Sequence, residues 1–251
     1  SAKRSALAPR EDLEMNTLVE ILNSVRFITC HSYVQSEINM LMHVGDSMGF
    51  TVNTFTHILE GYKVADKMKI HGAGASTFSD WWAYKFEVND AIPYNAAILV
   101  EMGIVTAINS DDAEMARRLN QEAAKVVKYG NMSQEEAWKT VTLNPAKLLH
   151  IDNRVGSIKE GKDADIVLWS HNPLSVYAKV EQTYVDGKLY FDIVQDKVLQ
   201  QRNKDERARL IQKMLVEKEN GVPTQEVKVE KQKLYHCDSI EGEEHDHGHN
   251  H

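Results

Sequence analysis

Apolar positions along residues 11–112 switch repeatedly between two spacings. Leu13, Leu18, Ile21 and Leu22 recur at helical intervals behind acidic residues that suit a helix N-terminus. A short apolar run, residues 27–30, then ends on His31. Ile38, Leu41, Met42 and Val44 form the face of a second helix that closes near Gly49. A second short run, 51–56, ends on His57, and a third helix over about 60–70 stops at Gly72. Residues 73–78 read as a smaller strand, followed by an aromatic stretch from Trp81 to Phe86. A helix over 92–102 with Gly103 at its end leads to the run 104–108 and then Asn109-Ser110-Asp111-Asp112. Short buried strands alternating with helices predict right-handed crossovers and a parallel sheet of four strands. His31, His57 and Asp111 fall at or just past strand C-terminal ends, which in a (β/α)8 barrel is the catalytic face. Four such units amount to half a barrel.

Residues 113–127 read as a helix, and Ser133-Gln134-Glu135-Glu136 as a capping box opening another. A further helix starts at 142–146, where Pro145 is tolerated in the first turn. At Asn153 the texture changes. Segments 155–158, 161–165 and 166–169 resemble turns joined to short strands, and 184–190 is a hairpin turning on Asp186-Gly187. Residues 193–219 predict one long surface helix, ended by Gly221 and Pro223. The remainder is poor in apolar residues and reads as a disordered tail carrying His236, Cys237, His245, His247, His249 and His251.

With 42% hydrophobic and 26% charged residues over 251 positions, the composition is that of a globular protein. A net charge of −8 argues against nucleic acid or an anionic membrane as partner. No apolar run approaches the roughly 20 residues that span a bilayer. Two distant cysteines, Cys30 and Cys237, exclude a disulfide scaffold. The chain opens on Ser1, and any targeting signal is expected upstream, which leaves the compartment open.

His31, His57 and Asp111 carry the chemistry. Imidazole and carboxylate are the usual ligands of zinc and related divalent ions. Their spacings of 26 and 54 residues are about one and two βα units, which brings all three to one rim. The alternative for each alone is an ordinary loop residue.

The motifs Thr29-Cys30-His31, Phe55-Thr56-His57-Ile58-Leu59-Glu60-Gly61-Tyr62 and Ile108-Asn109-Ser110-Asp111-Asp112 go further. With Val141-Thr142-Leu143-Asn144-Pro145-Ala146 and residues 155–165 (VGSIKEGKDAD), they make the chain resemble the C-terminal part of the amidohydrolase superfamily. The similarity lies in the branch of imidazolonepropionases and metal-dependent dipeptidases and runs over about 11–192. The resemblance implies the C-terminal half of a (β/α)8 TIM barrel over 1–150 and part of a composite β-sandwich over 151–192. A surface helix over 193–221 and an acidic, His-rich disordered tail over 222–251 complete the expected division. It further implies a metal-dependent hydrolase of C–N bonds in a cyclic amide or small dipeptide-like substrate, acting through metal-activated water. His31 and His57 are then metal ligands, and Asp111 both ligand and general base, with zinc the first candidate metal. Asp112 is the rival for that carboxylate role.

The family's H-x-H pair on strand 1, and its Lys or Glu on strand 4, have no counterpart before the tail. The expectation is therefore an incomplete enzyme, inactive alone, whose N-terminal half barrel comes from a longer reading frame or a complementing chain. Self-association follows only by analogy. The other class of function is non-catalytic: a truncated relative serving as an assembly partner or holding metal through its tail. Trp82, Tyr84 and Lys85 are candidate substrate contacts, Lys85 for a carboxylate, against plain packing over the barrel end. Tyr62 is a weaker candidate, Glu60 a candidate partner for His57, and Cys30 is expected to point away from His31 as a buried apolar residue. His43, His71, His150 and His171 read as structural or surface residues.

Overall fold

A computed structural model describes residues 10–223 and 225. The first helix, α1 (Leu13–Leu22), is capped by Asp12, whose carboxylate accepts from the amides of Glu14 and Met15. None of its residues is buried, so its apolar stripe has no cover among the described residues.

Four short strands follow, β1 (Ile28–His31), β2 (Val52–Thr56), β3 (Gly74–Thr77) and β4 (Thr106–Ile108), all parallel and in spatial order β1-β2-β3-β4. The connections carry α2 (Gln35–Met48), α3 (Ala65–His71) and α4 (Asn95–Glu101). Parallel neighbours require such crossovers, and the chain order of the strands is their spatial order. Ile38 and Met42 of α2, Met68 of α3 and Leu99 of α4 pack with Val52, Phe55 and Ala75 of the sheet in one buried cluster. All four residues of β3 are buried although Gly-Ala-Ser-Thr carries little apolar surface. Small side chains are needed there: a Cβ on Gly74 would strike the Leu148 side chain and lie 3.3 Å from the carbonyl oxygens of Asn53 and Val105. The helix expected over 60–70 opens instead as a 3-10 turn (Gly61–Lys63), where Tyr62 N–H donates to the Asn95 side chain, and α3 starts only at Ala65.

The helix expected over 113–127 is two, α5 (Ala113–Ala116) and α6 (Leu119–Gly130). Met115 of α5 packs against Leu59, Phe78 and Val88, whereas Val126 of α6 packs with Ala96 and Ile108. The break at Arg117-Arg118 lets each segment bury its own face. Ser133 caps α7 (Gln134–Lys139) through the Glu136 amide, as its motif predicts. The carbonyl of Thr140 accepts from Ile108 N–H, and Asn144 of α8 (Leu143–Leu148) donates to Thr106, so β4's outer edge is partly occupied.

After Asn153, residues 155–158 form no strand. The Lys162 ammonium gathers them into a turn by donating to the Val155 carbonyl and the Ser157 hydroxyl. Strands β5 (Ile166–Trp169), β6 (Val180–Val185) and β7 (Lys188–Asp192) make an antiparallel sheet in that order. The β6–β7 hairpin turns on Asp186 (φ 50°) and Gly187 (φ 74°), the positive pair that Asp-Gly supplies. Asp192 caps α9 (Ile193–Glu219), a charged helix with no buried residue. No described helix is long and apolar enough to cross a membrane. The polar tail, with its histidines, lies outside the described residues.

Candidate active site at the strand ends

Parallel strands place their C-terminal ends on one rim. His31 is the last residue of β1, His57 follows the last residue of β2, and Asp111 lies three past the end of β4. The register pairs His31 with Thr56 and Thr77 with Ile108, which brings the three loops level. His57 Nδ1 lies 3.2 Å from an oxygen of Asp111, and the His31 and His57 rings are 4.8 Å apart.

His57 has a left-handed backbone, φ 64°, which is uncommon for a residue with a Cβ. The surroundings hold it there. Ile58 N–H donates to the Ser76 carbonyl, and Leu59 N–H to that of His57 itself. Buried Asn95 donates to the Ile58 carbonyl and to Thr77 Oγ1 while accepting from Tyr62 N–H. Glu60 ties the β1 loop to the β2 loop: its carboxylate accepts from Gln35 N–H at the start of α2, and its own amide donates to the Tyr33 carbonyl. Strain maintained in this way at a strand end is a common feature of functional sites.

His57 is 6% exposed, and burial holds its pKa below the ordinary histidine value. The Asp111 charge opposes that shift, while His31 and Lys85 reinforce it. Its faces meet Tyr33 and Phe78, with centroids 5.9 and 5.3 Å away, and Phe78 stacks in turn on Trp81 at 4.3 Å. Tyr84 meets Trp81 edge-on, and Lys85 Nζ sits 4.1 Å above the Tyr33 ring. This loop is anchored by Lys125 of α6, which bridges Asp80 and the buried Glu122 at 2.8 Å each, and by a hydrogen bond from Ser79 Oγ to the Glu122 carbonyl.

Lys85 and Tyr84 therefore belong to the neighbourhood of His57. Trp82 turns instead toward Tyr129. The Tyr62 hydroxyl donates to the Asp90 carbonyl. Asp112, the rival for the carboxylate role, instead caps α5 through the amides of Glu114 and Met115. Cys30 packs against the core cluster, and burial raises its thiol pKa. Residues not singled out in the sequence are Ser76, Phe78 and, above all, Asn109, whose amide reaches both His57 and Asp111. The available signal was position: Asn109 is two residues before Asp111, and alternate residues of extended chain share a side.

Two imidazoles and a carboxylate are an N/O donor set of the kind zinc takes. The 3.2 Å between His57 Nδ1 and Asp111 is what two donors of one ion show at bonds of about 2.0–2.2 Å. Among the described residues no three His, Cys, Asp or Glu side chains converge closely enough to hold an ion.

Residues 89–190 match the amidohydrolase family. The chain is 30% identical over 187 residues to amidohydrolase tasK of Hapsidospora irregularis, covering 72% of this chain and 19% of that protein. It is 28% identical over 165 residues to an imidazolonepropionase of Thermoplasma volcanium, covering 62% of this chain and 40% of that one. The chain belongs to the amidohydrolase superfamily. An amidohydrolase structure from Thermotoga maritima superposes with a TM-score of 0.67 at 27% identity, over 76% of this chain and 50% of that one. This amidohydrolase-superfamily chain thus spans half or less of the length of each of these three relatives.

Proposed function

We propose that the chain carries one side of the active site of a metal-dependent hydrolase of C–N bonds, with His31, His57 and Asp111 as its contribution. The observation that supports this most is the 3.2 Å approach of His57 and Asp111 from the ends of two different strands. In this reading residues 1–150 are half of a (β/α)8 barrel, and residues 151–192 part of a smaller β-sandwich. The rest is supplied by polypeptide outside this sequence, in the same protein or in a complementing chain. Two features favour that. Relatives are at least twice as long as the aligned part, and β1 has no neighbour on its outer side among the described residues. An open edge of this kind calls for a partner strand.

His31, His57 and Asp111 would hold a divalent ion, with zinc the first candidate, and the bound ion would polarise the scissile carbonyl and acidify water. In this reading Asp111 acts as general base. It takes the proton of the attacking water and delivers it to the nitrogen as the C–N bond breaks. His57, kept neutral by burial, retains a lone pair for binding. Trp81 and Tyr84, backed by the buried Phe78, offer a wall for a planar group, and Lys85 a charge for a substrate carboxylate. Tyr62 and Trp82 stay candidates of lower rank, since each is engaged elsewhere.

The non-catalytic reading, an assembly partner or metal-holding protein, draws on one observation: no three donors converge among the described residues. Elemental analysis decides between the two. It is run on the full chain, on a chain ending at residue 192, and on the latter with His31→Ala and His57→Ala. About one equivalent of metal in the shortened chain, lost in the double variant, supports the hydrolase site. Metal that disappears with the tail alone refutes it.

A further inference from the structure

Asn109 stands between the two groups on which the proposed site depends. Its Oδ1 lies 2.8 Å from Ser76 Oγ, and its Nδ2 lies 3.0 Å from His57 Nδ1 and 3.3 Å from Asp111 Oδ1. Ser76 does not determine which way the amide points, because a hydroxyl both donates and accepts. Asp111 does. An ionised carboxylate only accepts, so the end of Asn109 that faces it is the NH2 group. The same NH2 group meets His57 Nδ1, and a hydrogen bond there requires a lone pair on Nδ1, with the proton of the neutral ring on Nε2.

This has a consequence for the 3.2 Å gap between Nδ1 and Asp111 Oδ2. With the proton on Nε2, two acceptors face each other across it, an arrangement that a cation satisfies. With the proton on Nδ1, the ring donates to the carboxylate and the gap is closed by a hydrogen bond. Both forms of the ring are neutral, so the choice is one of tautomer and not of charge.

We propose that Asn109, steadied by Ser76, is a positioning residue that locks His57 in the Nε2–H tautomer and turns its Nδ1 lone pair toward Asp111. The value of that lock for metal binding rests on the function proposed above; the lock itself does not. Loss of the amide frees Nδ1 to take the proton and bond to Asp111, a bond that an incoming ion must then break.

The test is a long-range proton–nitrogen correlation spectrum of the full 251-residue chain, with 15N-labelled histidine, after chelator treatment at about pH 8, above the ordinary imidazole range near 6.5. The His57 signals are assigned by their absence in His57→Gln. The expected result is the Nε2–H pattern in the wild type, converted to Nδ1–H in Asn109→Leu and shifted part of the way in Ser76→Ala. An Nδ1–H pattern in the wild type overturns the proposal, as does an unchanged Nε2–H pattern in both variants. Should Asn109→Leu fail to fold, the wild type and Ser76→Ala decide alone by the same criteria. Zn2+ is then titrated into the same samples while the His57 signals are followed, so tail histidines do not enter. Affinity in Asn109→Leu is expected to fall by roughly ten- to a hundredfold, as for other residues that orient metal ligands. A wild-type tautomer as expected, with His57 signals that ignore Zn2+, refutes the metal reading and leaves the lock standing.

Discussion

Lys125 is the residue whose removal should separate the loop carrying Lys85 from the body of the fold. Its ammonium bonds to both oxygens of Glu122, at 2.8 and 2.9 Å, and to Asp80 at 2.8 Å. Glu122 is 2% exposed, so Lys125→Met leaves a carboxylate buried with its cationic partner gone. Breaking a fully buried pair in this way costs about 3–5 kcal/mol. Lys125 is itself about one-third exposed, and water can reach the vacated position, so the expected loss is nearer ~2–3 kcal/mol. For a chain of this size that corresponds to a fall in Tm of roughly 4–12 °C. Glu122→Leu combined with Lys125→Met removes the orphaned charge, and Asp80, partly exposed, stays solvated. The double variant should therefore recover at least half of the loss, read by thermal unfolding followed by circular dichroism. If the single variant lies within about 0.5 kcal/mol of the wild type, or the double variant is less stable than the single, Glu122 is not held by this pair and the reasoning fails.

Two further outcomes follow from the same contacts. Burial works against the Lys125 charge, but hydrogen bonds to Asp80 and Glu122 outweigh it and hold its pKa above the ordinary value of 10.5. A group whose folded pKa is raised stabilises fully below its unfolded value and loses that contribution as pH climbs through the folded one. The stability gap between wild type and Lys125→Met should thus be constant from neutral pH to about pH 10 and shrink above it; a gap that widens there contradicts the sign. Asn95→Ala deletes two buried hydrogen bonds, to Ile58 and Thr77, and a partly buried one from Tyr62, and should cost about 3 kcal/mol in a urea titration, with a loss under ~1 kcal/mol counting against its role in bracing the His57 turn.

The fold was legible where local pattern and tertiary environment agree. The runs at 28–31 and 52–56 are bounded by helices with Gly49 and Gly72 at their ends, and both glycines adopt the left-handed conformation at those ends. It was less legible where a side chain diverts the backbone. Residues 60–64 have helical composition, yet Glu60 and Asn95 use their polar groups to hold the turn after His57, and the α-helix starts only at Ala65. Residues 113–130 have an uninterrupted helical pattern, but two different clusters compete for its faces and the helix breaks between them. The segment 155–158 resembles a turn joined to a short strand, but no described strand pairs with it and Lys162 binds the Val155 carbonyl and the Ser157 hydroxyl. None of these outcomes is recorded in periodicity, because each depends on atoms more than one turn away.

The site divides along the same line. His31, His57 and Asp111 could be found from spacing because the repeat of a βα unit fixes where strand ends fall. What surrounds them could not, since it depends on pairing across strands. Ser76 reaches Asn109 because β3 lies beside β4, Phe78 meets the His57 ring because β3 lies beside β2, and Asn95 braces the same turn from the helix between β3 and β4. A serine, a phenylalanine and two asparagines carry no signature on their own. Ser76 and Phe78 lie on or just past β3, Asn95 on the helix that follows it and Asn109 just past β4; what they share is a reach to the strand ends beside them. Candidates of this kind are found by first fixing strand order, then asking which polar side chains of the intervening strand and helix reach the ends on either side. Here that order puts His57 and Asp111, which are 54 residues apart, within reach of one amide.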